Sequence, residues 1–166
     1  MANICDEMRV LARHEGDWIG TYILIDCIGN LLDRHQSHIT CEFPADDPSK
    51  YYQINRYTWA DGKQEEHRFP GTYYDKKLWF DTERIKGHAW EADDSTLILW
   101  FAYKNVPDFH LYEMIQISPC NNYRARTWHW FKNNQIYQRT LIQEERLKGS
   151  LEVAPATSLS KLNSSI

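Results

Sequence analysis

The stretch Tyr123-Arg124-Ala125-Arg126-Thr127-Trp128-His129-Trp130-Phe131 decides how the chain is read. Taken in twos, it sets Arg124, Arg126, Trp128 and Trp130 on one side and Ala125, Thr127, His129 and Phe131 on the other, the alternation of an extended strand. Neither side is simply oily, so the segment reads as amphipathic lining rather than core filler. Turn signals flank it, Pro119 to Asn122 before and Asn133-Asn134 after.

The same period extends outward. Runs rich in Thr, Tyr, Trp and Ile predict strands near 18–26, 36–43, 51–59, 64–69, 78–81, 86–91, 96–103, 110–118, 123–131 and 136–145. Between them stand Gly29-Asn30, Asp46-Asp47-Pro48, Asp61-Gly62, Asp75-Lys76 and Asp93-Asp94, links short enough for consecutive antiparallel hairpins. Ahead of the strands, Ile4, Met8, Leu11 and Ala12 recur at helical spacing behind Asn3, which predicts one short helix. With no second helix to cover a flat sheet, an up-and-down order leaves two exposed edges unless the sheet closes on itself. The expected fold is therefore all-β, an antiparallel barrel of about eight to ten strands with a short N-terminal helix. It forms one domain over 1–149. The segment 150–166 loses its aromatics, is rich in Ser, Ala and Leu, and reads as a flexible tail.

At 166 residues, 42% apolar and 25% charged, the chain has the composition of a single folded domain. What departs from the average is the aromatic content, 7 Trp, 10 Tyr and 6 Phe, which lines or fills whatever these strands enclose. A net charge of −4 supplies no field for phosphate backbones, so nucleic acid is not expected as a partner. The apolar run from Trp18 to Ile28 is interrupted by Gly20, Thr21 and Asp26 and falls short of the roughly 20 residues a spanning helix needs. Met1 to Arg9 shows no secretory signal, and a cytoplasmic location is expected. Cys5, Cys27, Cys41 and Cys120 lack Cys-x-x-Cys spacing and read as free thiols. His35 and His38, three apart on a strand, point to opposite faces, so no metal site is expected. There is no glycine-rich phosphate loop and no Gly-x-Ser-x-Gly elbow, and no cofactor is expected.

Two readings of the rings stay open. In a solid barrel, inward positions are mostly aliphatic, because an unpartnered interior polar group costs about 1–3 kcal/mol. Here Tyr51, Gln53, Asn55, Tyr57 and Trp59 share one face of their strand, a pattern suited to a cavity that orients a guest through a few polar tips. The candidate lining comprises Trp18, Tyr22, Tyr57, Arg68, Trp79, Trp90, Trp100, Tyr112, Trp128 and Arg139. Asp81 and Glu113 each interrupt an aromatic strand with a single acid, and His129 sits between two tryptophans. These three are the candidate acid–base residues.

Gly16-Asp-Trp18-Ile-Gly20-Thr-Tyr22 with Asp26, then Gly29-Asn-Leu-Leu-Asp33, Phe69-Pro-Gly71 and the closing Gln138-Arg139, Glu144 and Arg146 are more specific together. Over roughly residues 10 to 147 the chain resembles a lipocalin-like (calycin) family of uncharacterised proteins related in fold to the phycobiliprotein chromophore lyases. That resemblance implies a Trp packed across the barrel floor after a short helix, and an internal ligand site. The leading expectation is a barrel that encloses a small, largely apolar aromatic or polyene molecule and promotes a cofactor-free cyclisation or isomerisation. A non-catalytic carrier, sensor or chromophore-handling protein is the alternative, as is an interaction module whose rings are plain core. A homodimer is left open.

Overall fold

A computed structural model describes residues 2–149; the tail expected over 150–166 lies outside the described residues. Ten strands follow one another: β1 (Gly16–Asp26), β2 (Leu31–Glu42), β3 (Lys50–Thr58), β4 (Gln64–Tyr74), β5 (Lys77–Asp81), β6 (Ile85–Glu91), β7 (Thr96–Tyr103), β8 (Phe109–Ile117), β9 (Tyr123–Lys132) and β10 (Gln135–Arg146). Each pairs antiparallel with its sequence neighbours, and β10 returns to β1, so the sheet closes with no free edge. The tight turns carry the residues they require. Asp75 and Lys76, and again Asn133 and Asn134, adopt φ between 49° and 59°, as two-residue hairpins of right-handed twist demand.

Two strands run longer than their residue pattern predicts. β2 starts at Leu31 because Asp26 Oδ1 accepts from the Ile28 and Asn30 N–H groups at 3.0 and 2.8 Å, closing the preceding turn within five residues. β4 continues through Pro70 to Tyr74; β5 reaches only Thr72–Tyr74, so no ladder on that side needs the N–H that Pro70 lacks. At Gly20 an added Cβ would lie 2.2 Å from the Gln143 carbonyl oxygen, so β1 and β10 approach more closely than a side chain permits.

The expected single helix is two, α1 (Ile4–Glu7) and α2 (Arg9–Ala12). Met8 leaves helical geometry at φ −121°, ψ 75°, and the restarted turn is capped from the barrel: Glu91 Oε1 accepts from the Val10 and Leu11 N–H groups at 2.7 and 3.0 Å. Ile4, Met8, Val10 and Leu11 are all buried, and the pair of turns plugs one end of the barrel. The other end carries only turns, and we call it the mouth.

Candidate functional site

At the plugged end, Trp18 is fully buried and donates its indole N–H to the His14 carbonyl at 2.9 Å. Arg124 and Arg146 stack on its ring at 4.4 and 4.3 Å. Arg146 is held by three backbone carbonyls, those of Arg13, Glu15 and Asn121. The floor is thus a tryptophan, as the resemblance implies, and two guanidiniums clamp it. Behind it His14 is buried; burial first, then Arg124, pushes its pKa well below 6.5 and keeps the ring neutral.

One step toward the mouth lies a closed ion network. Arg126 donates to Glu113 at 2.6 Å, to Tyr22 Oη at 3.0 Å and to Glu144 at 3.3 Å, and Arg124 donates to the other Glu144 oxygen. Two cations meet two anions. Burial works against every charge here, yet Arg124 and Arg126 hold the Glu144 carboxyl below its ordinary value, while Glu113 leads the groups that keep Arg126 protonated. Beside this network β3 presents a polar ladder: Tyr51 Oη donates to Gln53 at 2.8 Å, Gln53 to Asn55 at 2.7 Å, and Asn55 to Tyr57 at 2.8 Å.

Some of these groups line an internal cavity of about 60 Å³. Gln53 and Asn55 reach it from β3 and Glu113 and Arg126 from β8 and β9, among the apolar side chains of Leu78, Phe80, Ile85, Leu97, Leu99 and Phe101. At roughly 10–15 Å³ per water, that volume holds a few small groups, not a large guest with the side chains at rest. The chamber is narrower than the residue pattern predicts, because rings and ion pairs fill most of the interior. On the mouth side those rings make a continuous arc: Tyr103–Trp130–Trp128–Tyr22–His35–Trp59, with centroids 4.3–6.2 Å apart.

The residues expected to form the site divide by face. Trp18, Tyr22, Tyr57, Trp128 and Glu113 point inward, and of these Trp128 and Glu113 touch the cavity. Asp81, Arg68, Trp79, Trp90, Trp100, Tyr112, His129 and Arg139 lie on the outer face and do not reach it. Asp81 is an exposed acid whose pKa Lys104 lowers by hydrogen bonding, and Arg68 pairs with Glu66 at 2.9 Å. Five of the others assemble outside with His88: Trp79, His88, Trp100, Tyr112, His129 and Arg139 are direct cross-strand partners in one row over β5–β10, while Trp90 pairs with Ile98. Each is on its strand's outer parity, which residue type alone does not reveal. The candidate residues named from the sequence omit Gln53, Asn55, Arg124, Arg126 and Glu144, although the strand pattern already set Gln53 and Asn55 on a ring-bearing face and Arg124 and Arg126 beside Trp128 and Trp130. Two arginines sharing a strand face with two tryptophans was the available signal.

Among the described residues no cluster of three potential metal ligands occurs, and no helix is long and apolar enough to cross a membrane.

A closed antiparallel barrel with a helical plug and a ring-lined interior is a lipocalin-like, or calycin, barrel. The N-terminal domain of unknown function DUF3598 matches residues 6–149, and the chain belongs to that family. A DUF3598 protein of unknown function from Nostoc punctiforme superposes with a TM-score of 0.64 at 14% identity, covering 82% of this chain and 49% of that one. The chain thus spans about half the length of that relative. The S-type phycobiliprotein lyase CPES from Guillardia theta superposes with a TM-score of 0.67 at 15% identity, covering 85% of this chain and 92% of that one. At such identities the likeness is one of fold. No curated protein matches the chain.

Proposed function

We propose that the protein binds a small, largely apolar aromatic or polyene molecule inside the barrel and handles it as a carrier or chromophore-handling protein. The observation that carries this reading is the mixed lining of the cavity, mostly aliphatic and phenyl groups with Gln53, Asn55, Glu113 and Arg126 set among them. A largely apolar molecule with a few polar groups on its edge matches such a lining. The fold shared with a phycobiliprotein lyase supports a chromophore as the guest. Because the resting cavity is about 60 Å³, entry requires rings of the mouth arc to move aside.

The catalytic reading, a cofactor-free cyclisation or isomerisation, has one supporting residue. Glu113 is the acid that faces the cavity, and its Oε1 is engaged by Arg126 at 2.6 Å. It serves the carrier better, as the group that fixes Arg126, than it serves proton donation.

Titration with anilinonaphthalene sulfonate and retinol, followed by tryptophan quenching and by chromatography of the recovered probe, tests both readings. The carrier reading expects saturable quenching with unchanged probe, weakened at least tenfold by Ala89→Leu, which fills the cavity, and unaffected by Trp79→Ala on the outer face. Conversion of the probe that Glu113→Gln abolishes would replace the carrier with the catalyst. Absence of saturable binding, together with no small molecule on protein purified from its own host, would overturn both.

A further inference from the structure

His35 is an inward-facing histidine that does not line the cavity. Its ring is caged: it stacks on Tyr22 at 5.0 Å and 22°, meets Trp59 at 4.3 Å, and takes the Tyr57 edge at 4.9 Å. Its Nδ1 lies 2.9 Å from Asp33 Oδ2, and the same carboxylate accepts the Trp59 indole N–H at 3.0 Å. Burial opposes the charge on Asp33, but the His35 and Trp59 hydrogen bonds outweigh it and hold the carboxyl below its ordinary value. An ionised carboxylate only accepts, so in the neutral form of the imidazole the proton sits on Nδ1 and Nε2 is a bare lone pair. Nε2 is buried and has no hydrogen-bond partner among the described residues, while the side chain as a whole is 12% exposed.

A buried acceptor without a donor lowers stability. Asp33 and Trp59 nonetheless lock this ring in the orientation that bares Nε2. A loose histidine would turn toward water; this one is held by a carboxylate that is itself held. The cage is joined to the cavity wall by ring packing, because Tyr22 touches His35 on one side and Trp128, a cavity residue, at 5.6 Å on the other. Trp128 also carries an unpartnered buried indole N–H. Trp59 stands at the rim with the Lys63 ammonium over its ring at 4.6 Å.

We infer that the Asp33–His35 pair is a recognition subsite at the barrel mouth that accepts a hydrogen bond from a hydroxyl or N–H group on an aromatic ligand, with Asp33 as its positioning residue. This rests on the reading that the barrel takes a ring-bearing guest and adds which polar group that guest carries. The ligand class narrows from apolar aromatics in general to phenol-like or azole-like rings with a donor on the edge.

The test is a matched pair of probes, 4-nitrophenol and 4-nitroanisole, which differ by a methyl in place of the hydroxyl hydrogen. The full chain is expected to bind 4-nitrophenol at least tenfold more tightly, with its absorption moved to longer wavelength. His35→Phe keeps a ring in the cage, removes Nε2, and is expected to bring the ratio near one while leaving 4-nitroanisole affinity unchanged. In the wild-type protein, the ¹⁵N resonance of His35 Nε2 is expected to move with 4-nitrophenol and not with 4-nitroanisole, a readout that needs no variant to fold. A ratio near one in the wild type, or an unmoved Nε2 resonance at saturation, overturns the subsite while binding of anilinonaphthalene sulfonate or retinol leaves the cavity reading standing. Failure of all four probes to bind overturns the two together.

Discussion

The inner and outer faces of β9 carry opposite surprises. Inside, where a barrel is usually aliphatic, Arg124 and Arg126 lie buried; outside, where solvent begins, His129 and Phe131 join other rings. The inner charges are tolerable because each has a partner: Glu113 and Glu144 answer the guanidiniums, and Tyr22 takes a further N–H. The outer rings are tolerable because they cover one another, as in the parallel stacking of His110 on Phe131 at 5.0 Å and 2°. Polarity alone therefore does not say which side of a strand faces in. What matters is whether a complement stands across the ladder.

The comparison breaks most readily at Arg126. Arg126→Leu leaves Glu113 and Glu144 short of a cation in a buried site, and we expect a loss of about 3–5 kcal/mol by urea unfolding. Adding Glu113→Leu to it should recover part of that loss, because a pair of apolar groups asks for no partner; a double variant as unstable as the sum of the singles would contradict a closed network. Next in size are two tryptophans compared directly. Trp18→Ala, at a fully buried ring between two guanidiniums, is expected to cost about 3–5 kcal/mol, and Trp79→Ala, 38% exposed in the outer row, under about 1 kcal/mol. Equal costs would erase the distinction between the faces.

A further effect, smaller than those at Arg126 and Trp18, is in pH. His14 is held neutral inside, its pKa well below 6.5, whereas in the unfolded chain it takes up a proton as the pH falls through that value. The unfolded state then binds more protons, so stability declines on acidification, by up to about 1.4 kcal/mol per pH unit below pH 6.5. His14→Gln is expected to flatten that slope in urea titrations between about pH 6.5 and 5.

Much of the fold was legible. The hairpin turns at Asp75-Lys76 and Asn133-Asn134 were readable because their backbone needs residues that tolerate positive φ. The break at Met8 was not, because its cause is Glu91, which lies far along the chain and caps α2 from β6. The site was legible only in part. Trp18, Tyr22, Tyr57, Trp128 and Glu113 were singled out and do face inward, whereas Trp79, Trp100, Tyr112, His129 and Arg139 formed an exterior row that no single strand betrays.

The residue order by itself determined ten alternating strands, their turns and the need to close, since those follow from local backbone preferences and from the cost of a bare sheet edge. Which parity faced inward, which arginine met which glutamate, and how little empty space remained between the rings were decided only when the barrel closed. Those properties belong to pairs of residues brought together from distant strands, and a linear chain carries no record of the distance between them.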